Sequence, residues 1–287
     1  MNQWHNTLAR VLCLGRMRPD RTGVGTLSLF GEQLRVDNGP GTFPAVTTKR
    51  LAFRQVAAEL ACFLRGYDSL EKFHSLGCHI WDGNGQAEYW LPRARFAGDL
   101  GRIYGVQWRD WRSLDHWSGG ELKEVNVDQL KRLVSGLASD PFGRRHVVTA
   151  LNPGEADRMC LPPCHVLFQA YVREEEDVRG RILDLRVDMR SVDLFLGLPF
   201  DIASYALLQR LLCKKLGYTS GELVFQLGDA HIYLNHLDQV RTVLDRAPMK
   251  PPELELDPDA DLLSFHPDHA KLVGYESHPA VPAPLNV

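Results

Sequence analysis

RILDLRVDM, running from Arg181 to Met189, alternates apolar and charged side chains from Leu183 onward. Leu183, Leu185, Val187 and Met189 take one side, and Asp184, Arg186 and Asp188 take the other. Successive strand residues point to opposite faces, so the segment predicts a strand with one face in a core. Such strands suit antiparallel or mixed sheets. Two further strands lie upstream, HVVTALN (146–152) and HVLFQAYV (165–172). The charged run REEEDVRGR (173–181) reads as a solvated hairpin loop between the last of these and RILDLRVDM. Downstream, Pro199 to Leu216 is apolar enough for a long buried helix. ELVFQLGDAH (222–231) is another strand, and Leu234 to Leu244 another helix.

The N-terminal half adds three helices and a strand. The chain up to about Leu14 forms a helix that ends near Gly15 and Pro19, and TLSLFGEQLRV (26–36) a strand kinked at its glycine. From Lys49 to Leu64, the side chains of Leu51, Val56, Leu60, Phe63 and Leu64 share one helical face, with Gly66 as the stop. Val127 to Leu137 makes another helix, closed by Asp140-Pro141. The tail HPAVPAPLNV (278–287) carries three prolines, so it runs extended and can fold over a site as a lid. No repeat, low-complexity tract or linker divides the chain. The expectation is one α+β domain over residues 1–287, a mixed or antiparallel sheet packed with helices.

Composition bounds the function from outside. A chain of 287 residues can bury a sizeable core, and 24% charged with 44% hydrophobic residues is ordinary for a soluble protein. A net charge of -3 gives no global basic field for polymeric nucleic acid, so an anionic ligand needs locally placed arginines. The start MNQWHNTLAR lacks a signal-peptide core, and no apolar run approaches the length of a membrane span. Six cysteines without paired spacing do not form a disulfide framework, and the cytoplasm is the natural location. Cys13, Cys62, Cys78 and Cys213 sit among apolar neighbours and read as reduced core residues.

LPPCH (161–165) places Cys164 at the start of a strand, where a cysteine taken alone is more often core than catalytic. His165 beside it, and arginines elsewhere, favour thiolate, since nearby positive charge lowers a thiol pKa. No metal is expected. Cys160, Cys164 and His165 lack a second ligand pair at zinc-site spacing, and the His-x-Glu with Pro-Cys-x-x-Cys pattern of zinc nucleotide deaminases is absent. A cysteine hydrolase finds no histidine–acid pair at a recognisable spacing.

Ten segments carry a family likeness: DRTGVGTLSLFG (20–31), FPAVTTKR (43–50), EL-x-x-FL-x-G (59–66), IWDGNG (80–85), YGVQWR (104–109), DPFGRR (140–145), LPPCH, MRSVDLFLGLPFDIASYALL (189–208), GDAHIYLNH (228–236) and GY-x-x-HP (274–279). In this order, over nearly the whole chain, they resemble the thymidylate synthase family. The resemblance implies that fold, a homodimer joined through the sheet, and 5,10-methylenetetrahydrofolate as co-substrate. Cys164 matches the nucleophile whose addition at pyrimidine C6 makes C5 reactive toward a one-carbon unit.

The other matches follow residue by residue. Arg21, Arg190, Ser191 and the pair Arg144-Arg145 match the phosphate grips, with that pair supplied to the neighbouring subunit's site. His231 and Tyr233 match the partners of the sugar 3′-hydroxyl. Glu59, on a helix among Ala58, Leu60 and Ala61, matches the proton relay, and burial there raises a carboxyl pKa. Tyr104, with the catalytic residues, and Asn84, on the cofactor side, match the polar network. Asp193, Trp81 and Lys49 match a hydrogen bond to the pterin, an aromatic wall and a cation for the glutamyl tail, and Gly197 lies with them.

Asp201 departs from the thymidylate synthases, which carry asparagine there. An asparagine amide can both give and take a hydrogen bond with O4 and N3 of uracil. Cytosine reverses that edge, and a carboxyl accepts from N4 while favouring or supplying a proton at N3. A carboxylate facing O4 of uracil would leave two acceptors opposed, at a cost on the order of 1–3 kcal/mol. Read without the family, Asp201 is a helix N-terminal aspartate after Gly197 and Pro199. With it, the closest branch is the deoxycytidylate hydroxymethylases, which carry aspartate at this position. Deoxycytidylate methylation, a CMP hydroxymethylase, thymidylate synthesis and a non-catalytic nucleotide- or RNA-binding relative stand as alternatives. Leu151 and Met189 replace the family's usual tryptophan and glutamine, changes expected to loosen the cofactor pocket and admit water.

Overall fold

The alternating segment lies inside the longest strand of the chain's main sheet. The computed structural model describes residues 2–115, 123–175 and 178–286. The strands of this sheet are β1 (Arg16–Arg18), β2 (Thr26–Asp37), β5 (Val147–Thr149), β6 (His165–Glu175), β7 (Val178–Asp193) and β8 (Thr219–Tyr233). They lie in the order β1-β2-β8-β7-β6-β5. All neighbours are antiparallel except β7 and β8, which run parallel, so the sheet is mixed. Two short hairpins stand apart from it, β3 (Trp111–Asp115) with β4 (Lys123–Val127), and β9 (Glu253–Leu256) with β10 (Ala270–Val273).

Joining two parallel strands requires a crossover, and helix α7 (Gly197–Leu216) supplies it. Its apolar residues point in nearly every direction, and twelve of its side chains are buried against the sheet and helix α2 (Phe53–Arg65). Around this pair lie α1 (Asn2–Leu14), α3 (Leu70–His74), α4 (Asp82–Gly85), α5 (Tyr104–Arg109), α6 (Gln129–Ser139) and α8 (Leu237–Leu244). One hydrophobic cluster spans the sheet and these helices.

Several boundaries differ from the sequence reading for physical reasons. The helix expected from Lys49 begins at Phe53, because Phe43, Ala45, Val46 and Leu51 are drawn into the core as non-helical chain. REEEDVRGR is mostly strand: β6 and β7 extend into it, with Glu175 opposite Val178, and residues 176–177 lie outside the described set. Cys13 is exposed, since α1 buries Trp4, Thr7, Leu8 and Val11 and the cysteine falls off that face; Cys62, Cys78 and Cys213 are buried and free. Gly31 does kink β2, with φ 88°, a conformation L side chains avoid. The tail lies extended and tied down, with His278 N–H on the Thr47 carbonyl and the Pro284 carbonyl 2.8 Å from His236 Nε2.

Candidate active site

Cys164 is held from both sides of its peptide. Its N–H donates to Tyr104 Oη at 2.7 Å, and its carbonyl accepts the Arg190 N–H at 2.9 Å as β6 and β7 begin to pair. The Arg190 guanidinium folds back onto the carbonyls of Pro163 and Pro162, at 2.8 and 2.9 Å, which fixes the turn before the thiol. Burial raises the Cys164 pKa, with the field of Arg190 opposing it, Asp201 adding to the rise, and Arg21 pulling down more weakly. The arginines are the thiolate-favouring groups here. His165 does not serve as one: burial drives its pKa down to about 3, so the ring is neutral.

Glu59 projects from α2 and accepts the indole N–H of Trp81 at 2.7 Å. Burial pushes its carboxyl up to about 7, the Trp81 bond opposing, in the direction expected of a proton relay. Trp81 itself is buried, edge-on to Tyr104 at 5.8 Å between ring centroids. Tyr104 stacks on Phe63 of α2, and its phenol pKa rises through burial and then the neighbouring Cys164. Asn84 is buried in α4.

Asp201 is the fifth residue of α7, beyond its first turn, so the helix-terminus reading does not describe it. Its side chain is 18% exposed. Burial, then Glu59 and Asp193, raise its pKa well above the carboxylate range, which favours the neutral acid. His165 Nε2 stands 3.5 Å from Asp201 Oδ1, while its Nδ1 pairs with Tyr205 Oη at 2.8 Å. A neutral imidazole has one donor and one acceptor nitrogen, so the nitrogen that pairs with Tyr205 decides what the other presents to Asp201. Sequence reading singled out neither His165 nor Tyr205 for this place. The four-residue spacing of Asp201 and Tyr205, which puts both on one helix face, was the available signal.

Gly197 sits between two carboxyls: a Cβ there would lie 3.8 Å from both Asp193 Cβ and Asp201 Oδ2. Asp193 uses Oδ1 on the N–H groups of Phe195 and Leu196, at 2.8 and 3.1 Å, and its Oδ2 stands 3.9 Å from Nδ1 of buried His236. Lys49 is not an exposed cation. Its ammonium is buried on the Phe195 carbonyl with Nζ 4.1 Å from the Phe195 ring centroid, and burial lowers its pKa to about 8 against the field of Asp193. It braces the loop that follows Asp193.

His231 and Tyr233 end β8 with their rings 5.1 Å apart, and His231 lies opposite Asp193 in the β7–β8 pairing. Burial lifts the Tyr233 phenol to about 12. Ser191 is half-buried on β7, next to Arg190, whose N–H pairs with the Cys164 carbonyl. Arg21, Arg144 and Arg145 are exposed and form no ion pair among the described residues. Among the described residues, no hydrogen bond or ion pair joins Arg144 or Arg145 to the groups around Cys164. Met189 is buried opposite His165 in the sheet, and Leu151 is half-buried.

A family model described as thymidylate synthase matches residues 2–287. The chain belongs to the thymidylate synthase family. It is a one-carbon transferase acting at C5 of a pyrimidine nucleotide with methylenetetrahydrofolate as co-substrate. The mixed sheet packed with helices is the fold this family implies. Among the described residues no helix is long and apolar enough to cross a membrane.

Proposed function

We propose that the substrate is deoxycytidine monophosphate and the product 5-hydroxymethyl-dCMP. The observation that carries this reading is Asp201, largely buried and driven toward its neutral form beside Cys164 and His165. A neutral carboxyl offers one acceptor oxygen and one O–H donor, the complement of cytosine's N4 amine and N3 lone pair. If His165 Nε2–H donates to Oδ1, the proton of the acid lies on Oδ2, and Tyr205 selects that arrangement by donating to Nδ1.

Cys164 thiolate forms a bond to C6, and the ring electrons then make C5 a nucleophile toward the methylene carbon. Glu59, near neutrality in pKa, is suited to move protons at the base and at the departing folate nitrogen. Water then adds to the exocyclic methylene carbon as the thiolate leaves, so dCMP, methylenetetrahydrofolate and water give the hydroxymethyl nucleotide and tetrahydrofolate. Met189 and Leu151, standing where the family usually has glutamine and tryptophan, are read as loosening the cofactor pocket so that water, in place of hydride, reaches the methylene.

The remaining roles complete the reading. Arg21, Arg190 and Ser191 hold the phosphate, and His231 and Tyr233 the sugar hydroxyl. Asp193 Oδ2, Trp81, Asn84 and Gly197 frame the pterin, with Lys49 acting through the Phe195 loop. Arg144 and Arg145 serve the neighbouring subunit of a homodimer.

The test incubates the enzyme with methylenetetrahydrofolate and either dCMP, CMP or dUMP, with mass analysis of the product. Hydroxymethyl-dCMP is expected. Turnover of dUMP alone would refute the base assignment, CMP turnover the sugar assignment, and 5-methyl-dCMP with dihydrofolate the product. Asp201→Asn should move preference toward dUMP by at least about tenfold, the scale of one unpaired buried group. Unchanged base choice in that variant counts against the reading.

A further inference from the structure

The structure assigns a second site, for a divalent transition-metal ion, to His74, His79 and Asp82. His74 closes α3, His79 lies in the following loop, and Asp82 opens α4. His74 Nε2 stands 2.7 Å from Asp82 Oδ1, and His79 Nδ1 stands 3.6 Å from Asp82 Oδ2. The two imidazoles lie nearly parallel, 4.4 Å between centroids. One ligand atom from each of the three residues falls within 4.8 Å of the others, and no other such trio occurs among the described residues.

The donor set names the class of ion. Two imidazole nitrogens and one carboxylate oxygen suit zinc, and by the same chemistry nickel or copper, whereas magnesium and calcium require oxygen ligands. Tetrahedral zinc bonds of about 2.0–2.1 Å hold ligand atoms roughly 3.3 Å apart, so the His74–Asp82 pair must open and the other separations close, by on the order of an ångström. Side chains 40%, 60% and 39% exposed can turn that far. Their backbone, in contrast, is fixed. Gln55 of α2 donates from Nε2 to the Gly77 carbonyl at 2.9 Å and accepts the His79 N–H on Oε1 at 3.2 Å. The Asp82 N–H returns to the His79 carbonyl at 3.3 Å, and the Cys78 N–H to Phe73 at 3.1 Å. Ion-free, Asp82 hydrogen-bonds to His74 and stands within ion-pair distance of His79. With the ion bound, the metal takes the place of those protons, and water fills the open position.

The trio takes no part in the reaction around Cys164. It clips α3 to α4 immediately before and after Trp81, the residue that holds Glu59, so occupancy should stiffen that segment. Titrating zinc(II) into the purified chain should give one ion per chain by calorimetry and a higher melting temperature. Cobalt(II) should give visible d–d bands without thiolate charge transfer, which separates this site from exposed Cys13 and from Cys164. His79→Ala and Asp82→Asn should each weaken binding at least about tenfold, the scale seen when a supporting group of a metal site is lost. Unchanged affinity in both variants, thiolate bands with cobalt, or absence of saturable binding would overturn the assignment and leave a hydrogen-bonded surface cluster.

Discussion

Glu59 shows how much a single residue's surroundings decide. With its carboxyl raised to about 7 in the folded chain, far above an unfolded glutamate, the native state binds the extra proton. Its contribution to stability is therefore complete below about pH 4.5 and declines as pH rises through 7. Urea unfolding of the ligand-free protein across pH 5–8 should show stability falling toward alkaline pH by up to about 3 kcal/mol. Glu59→Gln, which cannot titrate, should flatten that slope; an unaltered slope would place the titration elsewhere. The identities of Glu59, Cys164 and Asp201 were legible because each sits in a short distinctive run. Their wiring was not. Trp81 on Glu59, Tyr104 on the Cys164 peptide and Tyr205 on His165 join residues 22, 60 and 40 positions apart, which no local pattern encodes. The inward turn of Lys49 was hidden for the same reason, because a lysine beside an arginine in sequence gives no sign of a buried carbonyl waiting for it.

Elements bring these side chains together through one very close contact. At Gly105, the second residue of α5, an added Cβ would meet the Phe63 carbonyl oxygen of α2 at 2.4 Å and the Phe63 Cα at 2.5 Å. Both obstacles are backbone, so neither can rotate aside. Since α5 carries Tyr104 and α2 carries Glu59, Gly105→Ala should separate the two polar groups as well as overpack the interface. A loss of about 1–3 kcal/mol or more in unfolding free energy is expected, with a fall in turnover under conditions where the variant is still folded. Wild-type turnover in Gly105→Ala would show that the helices relax without moving the site. Strands were readable where a face is buried: β7 and β8 show clean alternation, and α7 a continuous apolar run. The hairpins β3–β4 and β9–β10 are short and largely exposed, so nothing in their composition imposes a period, and they escaped. Helix α5, six residues long, is too brief for periodicity to mark.

At the scale of the whole molecule, two arginines and two aromatic faces lie open on the chain's surface. Arg144 and Arg145 are exposed, while Phe30 on β2 and Tyr171 on β6 leave 87% and 63% of their area uncovered on the sheet. A homodimer joined through the sheet would cover those aromatic faces and bring the paired arginines to the partner's phosphate site. Complementation tests this directly. A Cys164→Ser protomer keeps its arginines, and an Arg144→Ala/Arg145→Ala protomer keeps its thiol, so each homodimer alone should be nearly inactive. When equal amounts are exchanged, about half the dimers are hybrids, and each hybrid holds one complete site built from both chains, giving about a quarter of the wild-type site number. Recovery near that level requires arginines acting across the interface. No recovery, in a mixture shown by mass to contain hybrids, would mean that the arginines serve the chain that carries them.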